Sequence, residues 1–295
     1  MANLKEIKRK IGSVKNTQKT TNAMKLVSSA KLKRTEELAK RSRVYAAKLT
    51  ELINEIAQKM QKNNAEGIDN VYFKENRNPK KVDIVFITAD KGLCGGFNAQ
   101  TIKRVNKLIS EYKAQDTKVC LRAIGRKGID YFRFNGIELN NEIVGLSAAP
   151  DYKTASEFIS EVADSYVNGE TDKIILVHNG YVSMISQEIR EDQVLPVDSS
   201  KLQLNAVSTS ELEVEPDDDD TLLDALVKRY VEYTMYYSLI DSLAAEHSAR
   251  MQAMDAATKN AKEMVKTLTV KYNKARQEAI TTELIEIISG MESMK

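Results

Sequence analysis

The chain has 295 residues, with 44 Lys and Arg against 42 Asp and Glu, so its formal net charge is +2. This balance excludes a protein that is basic throughout, as many nucleic-acid binders are, although it leaves room for a local basic patch. The hydrophobic share of 42% fits a folded chain rather than a disordered one. No stretch of the sequence approaches the roughly 18 consecutive apolar residues that span a bilayer.

Metal and cofactor sites are not expected. The chain has two cysteines, Cys94 and Cys120, and two histidines, His178 and His247, and they are not spaced as the ligands of a zinc site. Two cysteines also cannot form a disulfide framework, which favours a reducing, cytoplasmic compartment.

Glycine and proline divide the chain into three parts. Neither residue type occurs between Gly12 and Gly67 or between Pro216 and Gly290, and all four prolines lie in the middle part. Because these residue types interrupt helices, the two ends read as long uninterrupted helices around a compact centre. The predicted domains are an N-terminal coiled-coil helix (1–66), a central α/β domain (67–207) and a C-terminal coiled-coil helix with an acidic lead-in (208–295).

The first predicted helix carries a periodic stripe and a strong positive charge. The stripe runs through Leu4, Ile7, Ile11, Val14, Gln18 and Thr21, and then less regularly through Leu38, Tyr45, Leu49, Leu52 and Ile56. Alternating steps of three and four residues are typical of a left-handed coiled coil. Residues 1–60 contain 15 Lys and Arg against 5 Asp and Glu, a net charge of +10.

The central part alternates predicted strands and helices. Strands are expected at residues 82–88, 119–124, 143–144 and 174–177, with 182–190 also extended, and helices at 99–112, 128–134 and 154–167. This order predicts a mostly parallel, Rossmann-like sheet covered by helices. Asn179 and Gly180 suit either a hairpin turn or a bend between two strands.

The segment after the first strand is the best candidate for a nucleotide site. Residues 89–98 (ADKGLCGGFN) lie between a strand and a helix, where nucleotide-binding folds place a phosphate loop. The segment has neither G-x-G-x-x-G nor a G-K-[ST] ending, so a structural tight turn is favoured. Cys94, beside Lys91, has no His or carboxylate at catalytic spacing, and both His178 and His247 are expected to be packed or to face a partner. These observations predict no catalytic residue.

The C-terminal helix has the clearer period. It follows four aspartates, residues 217–220, which could bind calcium but more often offset a helix macrodipole, and Asp219 or Asp220 is expected as the N-cap. Its coiled-coil stripe runs through Tyr237, Ile240, Ala244, His247, Met251, Met254, Thr258, Ala261, Val265, Leu268, Tyr272, Ala275 and Ala279. The small residues of this stripe predict a thin seam with close backbone approach.

The charge pattern indicates a partner for the basic N-terminal arm. Nucleic acid, anionic lipid and an acidic protein surface would each fit a net charge of +10. The arm has more Lys than Arg and one aromatic residue, Tyr45, whereas many nucleic-acid readers are rich in Arg and interleaved aromatics. Residues 200–220, by contrast, have one Lys against seven acidic residues, a net charge of −6.

Four segments together resemble the gamma subunits of F-type ATP synthases, in their opening helix, central-domain motif and C-terminal helix. They are residues 11–25 (IGSVKNTQKTTNAMK), 90–98 (DKGLCGGFN), 243–254 (LAAEHSARMQAM) and 272–281 (YNKARQEAIT). The family's terminal signature is matched by Ile280, Thr281, Glu283, Glu286 and Gly290, although Met291 stands where the family usually has Ala. The motifs occur in the family's order and span essentially the whole chain.

The resemblance implies the central stalk, or rotor, of a bacterial-type, proton-translocating ATP synthase. The terminal helices would form an antiparallel coiled coil inside a ring of alpha and beta subunits. The central domain would contact the epsilon subunit and the c-ring at the cytoplasmic face of the inner membrane. Rotation of the c-ring would then drive the beta subunits through successive conformations, while this chain would carry no catalytic residue, nucleotide, cofactor or metal.

The resemblance also implies which residues contact other subunits. They are Lys8, Arg9, Lys15, Lys19, Met24 and Lys25 on the first helix, Arg250, Arg276, Gln277 and Thr281 on the last helix, and Glu211, Glu213 and Glu215 in the acidic lead-in. Arg276 and Gln277 are expected to meet a catch loop of the beta subunits. A coiled-coil nucleic-acid-binding protein and a nucleotide-using α/β enzyme are the alternative functions.

Overall fold

The computed structural model of the protein describes residues 4–63, 70–74, 76, 78–197 and 219–293. Its elements are α1 (Leu4–Asn63), a 3₁₀ turn (Val71–Phe73), β1 (Lys81–Ile87), α2 (Phe97–Ala114), β2 (Lys118–Ile124), α3 (Arg126–Phe134), β3 (Asn141–Ile143), α4 (Tyr152–Val167), β4 (Lys173–Ser183), β5 (Ser186–Leu195) and α5 (Asp219–Glu292). They form two compact units: a terminal unit, Met1–Ser29 with Arg250–Lys295, and a central unit, Ala30–Ala249. The domain boundaries predicted after residues 66 and 207 fall outside the described residues.

The central unit is built on a five-stranded sheet in the order β3-β2-β1-β4-β5. Strand β1 pairs in parallel with β2 and β4, and β2 pairs in parallel with β3, whereas β4 and β5 are antiparallel. The prediction of a mostly parallel sheet, formed by the part of the chain that lies between two long helices in sequence, is therefore confirmed. Six of the seven residues of β1 are buried, as expected for a strand that is covered on both faces.

Alternate side chains of the strands point to opposite faces of the sheet and form two apolar cores. Val85 and Ile87 of β1 belong to a cluster with α4 and with the first part of α5, as far as Leu239. Ile84 and Phe86 belong to a second cluster with α2 and α3. The first turns of the C-terminal helix are thus part of the core of the central unit.

The chain reverses between β4 and β5 at residues 184–185, after Ser183. Asn179 and Gly180 lie inside β4 and pair with β5, so the interpretation of this dipeptide as a hairpin turn is wrong. A Cβ atom on Gly180 would lie 2.6 Å from Cδ of Arg190. A larger residue at this position would displace the Arg190 side chain, which crosses β4 at this point.

Helix α5 follows its predicted stripe. All the stripe residues from Tyr237 to Ala279 are buried or half-buried, whereas all described side chains after Ala279 are exposed. The helix begins at Asp219, so Asp219 and Asp220 lie inside its first turn rather than at the predicted cap position. Acidic residues in a first turn still oppose the helix macrodipole.

Helix α1 departs from its predicted stripe in its second half. Leu38, Tyr45 and Leu52 are 42%, 45% and 38% exposed, so their assignment to the stripe is wrong. The positions that are buried or half-buried continue the steps of three and four residues through Ser28, Leu32, Thr35, Ala39, Ser42, Ala46, Leu49 and Ile53. Several of these residues are small or polar, and small side chains let packed helices approach closely, so hydrophobicity alone did not mark the seam.

Candidate functional site

The crevice in which open α/β sheets bind ligands lies at the carboxyl end of the strands, where the strand order switches direction. In this sheet the switch falls between β1 and β4. The loop after β1 turns there through left-handed backbone at Leu93 (φ 63°) and Gly95 (φ 58°). Cys94 of this loop is buried in a cluster with Ala245 and Ala249 of α5. The chain's own C-terminal helix therefore packs against the loop that sequence analysis compared with a phosphate loop.

The carboxylate of Asp90, in the same loop, accepts hydrogen bonds from backbone amides that a bound phosphate would need. Asp90 accepts hydrogen bonds from the backbone nitrogens of Arg126 (2.9 Å) and Gly145 (3.0 Å) and from the Ser147 hydroxyl (3.1 Å). Arg126 is the first residue of α3, and the amides of a helix N-terminus attract anions. Because Asp90 supplies the negative charge from within the chain, the loop acts as the structural turn that its sequence favoured.

The histidines and Cys120 are buried. His178 is 1% exposed, with Nε2 3.2 Å from Oδ2 of Asp241, and His247 is 8% exposed. Burial raises the pKa of the Cys120 thiol, and the nearby Asp83 carboxylate adds to this effect, so the thiolate is disfavoured at neutral pH. Among the described residues, no group of three or more His, Cys, Asp or Glu side chains could hold a metal ion.

The predicted basic residues of α1 differ in exposure. Lys8, Arg9, Lys15 and Lys19 are exposed. Lys25 is half-buried, and its Nζ lies 2.6 Å from Oδ1 of Asp255 on α5. Met24 is also half-buried. The first four residues therefore present their charge outward, whereas Lys25 is already engaged within the terminal unit.

Two polar contacts join α1 to α5 in the terminal unit. Asp255 binds Lys25 and also Nζ of Lys259, at 2.8 Å from Oδ2, and the hydrogen bonds from Lys25 and then Lys259 hold the pKa of Asp255 down at about 2. The hydroxyl oxygens of Thr21 and Thr258 lie 2.8 Å apart. From Lys25 to Thr21 the residue numbers on α1 decrease, while those of their partners on α5 increase from Asp255 to Thr258. The two helices are therefore antiparallel, as predicted.

The predicted polar residues of α5 fall into two environments. Arg276, Gln277 and Thr281 are exposed near the end of the helix, where the Thr281 hydroxyl donates to the backbone oxygen of Gln277 at 2.9 Å. Arg250 is 8% exposed. The structure therefore groups the first three residues on one exposed stretch and leaves Arg250 in the packed part of the seam. Glu211, Glu213 and Glu215 lie outside the described residues.

An apolar surface at the end of α5 was not predicted. Beyond the end of the seam, six large apolar side chains are each between 49% and 68% exposed: Ile280, Leu284, Ile285, Ile287, Ile288 and Met291. Ile280, Leu284, Ile287 and Met291 follow one another at steps of four, three and four residues, and Ile288 lies next to Ile287. These five side chains therefore lie along one face of the helix. The sequence signal is that the apolar period continues beyond the coiled-coil stripe, and exposed apolar patches of this kind mark protein–protein contacts.

Comparison with known proteins identifies the family. A family model described as ATP synthase matches residues 3–294. The ATP synthase gamma chain of a Sulfurovum species is 83% identical over 295 residues and covers 100% of both chains. That of a Nitratiruptor species is 60% identical with the same coverage. The chain belongs to the ATP synthase gamma chain family.

Solved structures of ATP synthases share the fold of this gamma chain. The central stalk/c-ring structure of the Tetrahymena thermophila mitochondrial ATP synthase includes a chain that is 25% identical, with a TM-score of 0.61 over 81% of this chain and 99% of that one. The OSCP/F1/c-ring structure from Euglena gracilis includes a chain that is 17% identical, with a TM-score of 0.66 over 99% and 94%, which shows the fold alone.

These findings confirm the identification made from the four sequence motifs. This gamma chain, similar over its full length to bacterial relatives, is a non-catalytic subunit of an ATP synthase and part of the central-stalk rotor. Within the described ranges, no helix is both long enough and apolar enough to cross a membrane.

Proposed function

We propose that this gamma chain turns with the c-ring and carries the rotation to the catalytic beta subunits. The observation that carries the proposal is the end of α5, where apolar side chains from Ile280 to Met291 are exposed beyond the seam. A helix with this much exposed apolar surface requires an enclosing partner. A ring of alpha and beta subunits around the helix end would bury these side chains and let the helix turn against them.

The proposed partners are three alpha and three beta subunits, the epsilon subunit and the c-ring, with no nucleic acid and no nucleotide on this chain. The helical domains 1–66 and 208–295 would form the shaft, and the domain 67–207 would contact epsilon and the c-ring together with Glu211, Glu213 and Glu215. These contacts would hold the chain at the cytoplasmic face of the inner membrane. A cysteine placed at Ser208 or Ser210 is expected to crosslink to c or epsilon and stop rotation, and crosslinks confined to alpha or beta would contradict this orientation.

The exposed polar residues near the end of α5 are proposed to form a catch with the beta subunits. Arg276 and Gln277 are exposed, and an Arg can donate several hydrogen bonds in a fixed geometry to a loop that approaches in one rotary state. Such a contact affects the cycle only if it is stronger in one state than in another. Replacing both residues by Ala should change the stability of the chain by no more than about 0.5 kcal/mol, since exposed substitutions seldom do more.

The experiment measures ATP hydrolysis and ATP-driven proton pumping by purified complexes with both residues changed to Ala. We expect normal assembly and reduced rates of both processes. A Lys274→Ala complex is the control, because Lys274 is exposed on the same helix and keeps 79% of its side-chain surface accessible. Full activity of the double variant would refute the catch, and loss of assembly would show that the two residues have a structural role instead.

The exposed lysines and arginine of α1 are proposed to face acidic surfaces of the surrounding subunits. Individual charge contacts at such a surface are weak, but several together matter. Changing Lys8, Lys15 and Lys19 to Glu should therefore weaken assembly or coupled ATP synthesis. The matched control reverses the same number of charges on α2, at the exposed Lys103, Lys107 and Lys113. Equal behaviour of the two triple variants would show that the position of the charge does not matter.

A further inference from the structure

A buried polar cluster joins the β4–β5 hairpin to α5 in the central unit. Asp241 of α5 is 3% exposed. Its Oδ2 lies 3.2 Å from Nε2 of His178 and accepts a hydrogen bond of 2.8 Å from Arg190, while its Oδ1 accepts one of 3.2 Å from the backbone nitrogen of Tyr181. One carboxylate on the helix is therefore bound by two groups of β4 and one of β5. Residues that are 51 to 63 positions apart in sequence meet at this point.

The surrounding residues are adapted to this contact. Arg190 reaches Asp241 by crossing β4 over Gly180, where a Cβ atom would lie 2.6 Å from its Cδ and 2.7 Å from its Cζ. Burial is the largest single influence on the pKa of Arg190 and would lower it, but the charge of Asp241, the hydrogen bond to Glu188 and the interaction with Tyr237 together raise that pKa, so the guanidinium stays charged. Nδ1 of His178 has no hydrogen-bond partner among the described residues. The ring is therefore held through Nε2, by Asp241.

A second contact lies two helical turns further along the same face of α5. The Ser248 hydroxyl is 2.9 Å from the backbone oxygen of Met184, at the tip of the hairpin, and accepts a hydrogen bond of 2.7 Å from Gln187. Seven residues are close to two turns of an α-helix, so Asp241 and Ser248 face the hairpin together. The hairpin is thus attached to α5 at two heights along the helix.

Much of the other contact between the sheet and α5 is apolar and runs through α5 side chains such as Val231 and Leu239. Apolar packing is non-directional, so it resists separation of the two surfaces more than it resists rotation of the helix about its own axis. Hydrogen bonds weaken steeply when their geometry is distorted. The Asp241 contacts therefore resist rotation of α5 relative to the sheet in a way that the apolar core does not.

We propose that Asp241 is a positioning residue through which torque passes between the β4–β5 hairpin and α5. The proposal rests on the rotor function above, because a rotor driven at its central domain must transfer load from the sheet to the helix. Asp241 touches no substrate and no catalytic subunit in this proposal. It keeps the helix from twisting against the domain when the rotor works against a proton gradient.

The test compares three variants in the assembled ATP synthase. Asp241→Asn keeps the size of the side chain and removes its charge. Gly180→Ala keeps Asp241 but displaces Arg190. Asp224→Asn is the control, because Asp224 is also on α5, about 25 Å along the helix from Asp241, and accepts a hydrogen bond of 2.7 Å from Asn70 instead of from the hairpin.

Each complex is assayed for ATP hydrolysis without load and for ATP-driven proton pumping into closed vesicles. For Asp241→Asn and Gly180→Ala we expect near-normal hydrolysis and a ratio of pumping to hydrolysis about fivefold lower, the factor that corresponds to roughly 1 kcal/mol. The Asp224→Asn complex should keep the wild-type ratio. A bead attached to the central domain should also show wider rotary fluctuation in the first two variants when the catalytic subunits are inhibited.

Three outcomes would overturn the proposal. The first is a wild-type ratio for Asp241→Asn, and the second is a proportional fall in hydrolysis and pumping. The third is failure of both Asp241→Asn and Gly180→Ala to assemble, which would assign the cluster to folding. Failure of the rotor function itself is tested separately, by crosslinking this chain to a stator subunit in the wild-type complex. If the chain is not a rotor, that crosslink will leave ATP hydrolysis unaffected.

Discussion

The buried ion pair between β1 and β2 provides a quantitative test of the central unit. Nε of Arg122 lies 3.1 Å from Oδ2 of Asp83, and the two side chains are 9% and 2% exposed. Oδ1 of Asp83 has no hydrogen-bond partner among the described residues, so Arg122 is the main compensation for this carboxylate. Changing Arg122 to Ala leaves a buried charge without its partner, which typically costs about 3–5 kcal/mol. This is a large fraction of the roughly 5–15 kcal/mol that stabilises a domain.

The partner contacts predict what should happen in two further variants. Arg122 also meets Glu161 at 3.1 Å, but that side chain is 61% exposed, so Glu161→Gln should cost no more than about 1 kcal/mol. Replacing the buried pair together, with Asp83→Val and Arg122→Leu, should recover most of the stability, because apolar residues of similar volume often replace a buried pair without loss.

Hydrogen exchange measured by mass spectrometry is the suitable assay. The chain has no Trp, and the 60-residue α1 and 74-residue α5 dominate its circular dichroism, so neither fluorescence nor far-ultraviolet dichroism isolates the sheet. Exchange of the amides of β1 and β2 reports their local opening free energy. A loss below about 1 kcal/mol for Arg122→Ala, or an equal loss for the apolar double variant, would contradict the buried-charge argument.

Two further predictions concern the isolated chain. A Cβ on Gly128 would lie 2.6 Å from Cε2 of Phe86, so Gly128→Ala should lower the free energy of unfolding by about 1–3 kcal/mol. A Cβ on Gly12, which is inside a helix, would have nothing within 4 Å, so Gly12→Ala should raise the free energy of unfolding by about 0.5–1 kcal/mol. Both values can be measured by denaturant titration, and equal effects of the two substitutions would contradict the packing argument. Asp255 has a folded-state pKa of about 2, below its ordinary value of 3.8, so its contribution is fully present above the unfolded-state pKa and is lost as the pH falls from about 5 to about 1, through the folded-state value. The stability difference between the wild type and Asp255→Asn should therefore shrink over that range, and a difference that is undiminished at about pH 1, below both pKa values, would show that the two lysines do not act on this carboxyl.

The local sequence pattern was sufficient to predict the structure where a single periodicity dominates. The stripe from Tyr237 to Ala279 could be predicted because steps of three and four residues put side chains on one face of a helix whatever the rest of the chain does. The order of strands and helices in the centre followed from runs of apolar residues in the same way. The four family motifs then indicated the function before any contact was known.

Neighbours distant in sequence decided the rest. Ser28, Thr35 and Ser42 belong to the seam of α1 although they are not apolar, because what fits between two close helices depends on the partner helix and not on the residue's own hydrophobicity. The exposed Leu38 and Tyr45 are the converse case.

The sequence by itself determined the long helices, the α/β centre and the membership of the gamma chain family, since each depends on short-range spacing or on contiguous motifs. The tertiary structure alone decided that Gly180 lies in a strand and that Asp241 meets His178 and Arg190. A glycine reads locally as a turn, but Gly180 pairs with Glu188 of the neighbouring strand and leaves room for the Arg190 side chain that crosses it. The cluster at Asp241 depends on the approach of three elements, and no local pattern carries the information that they meet.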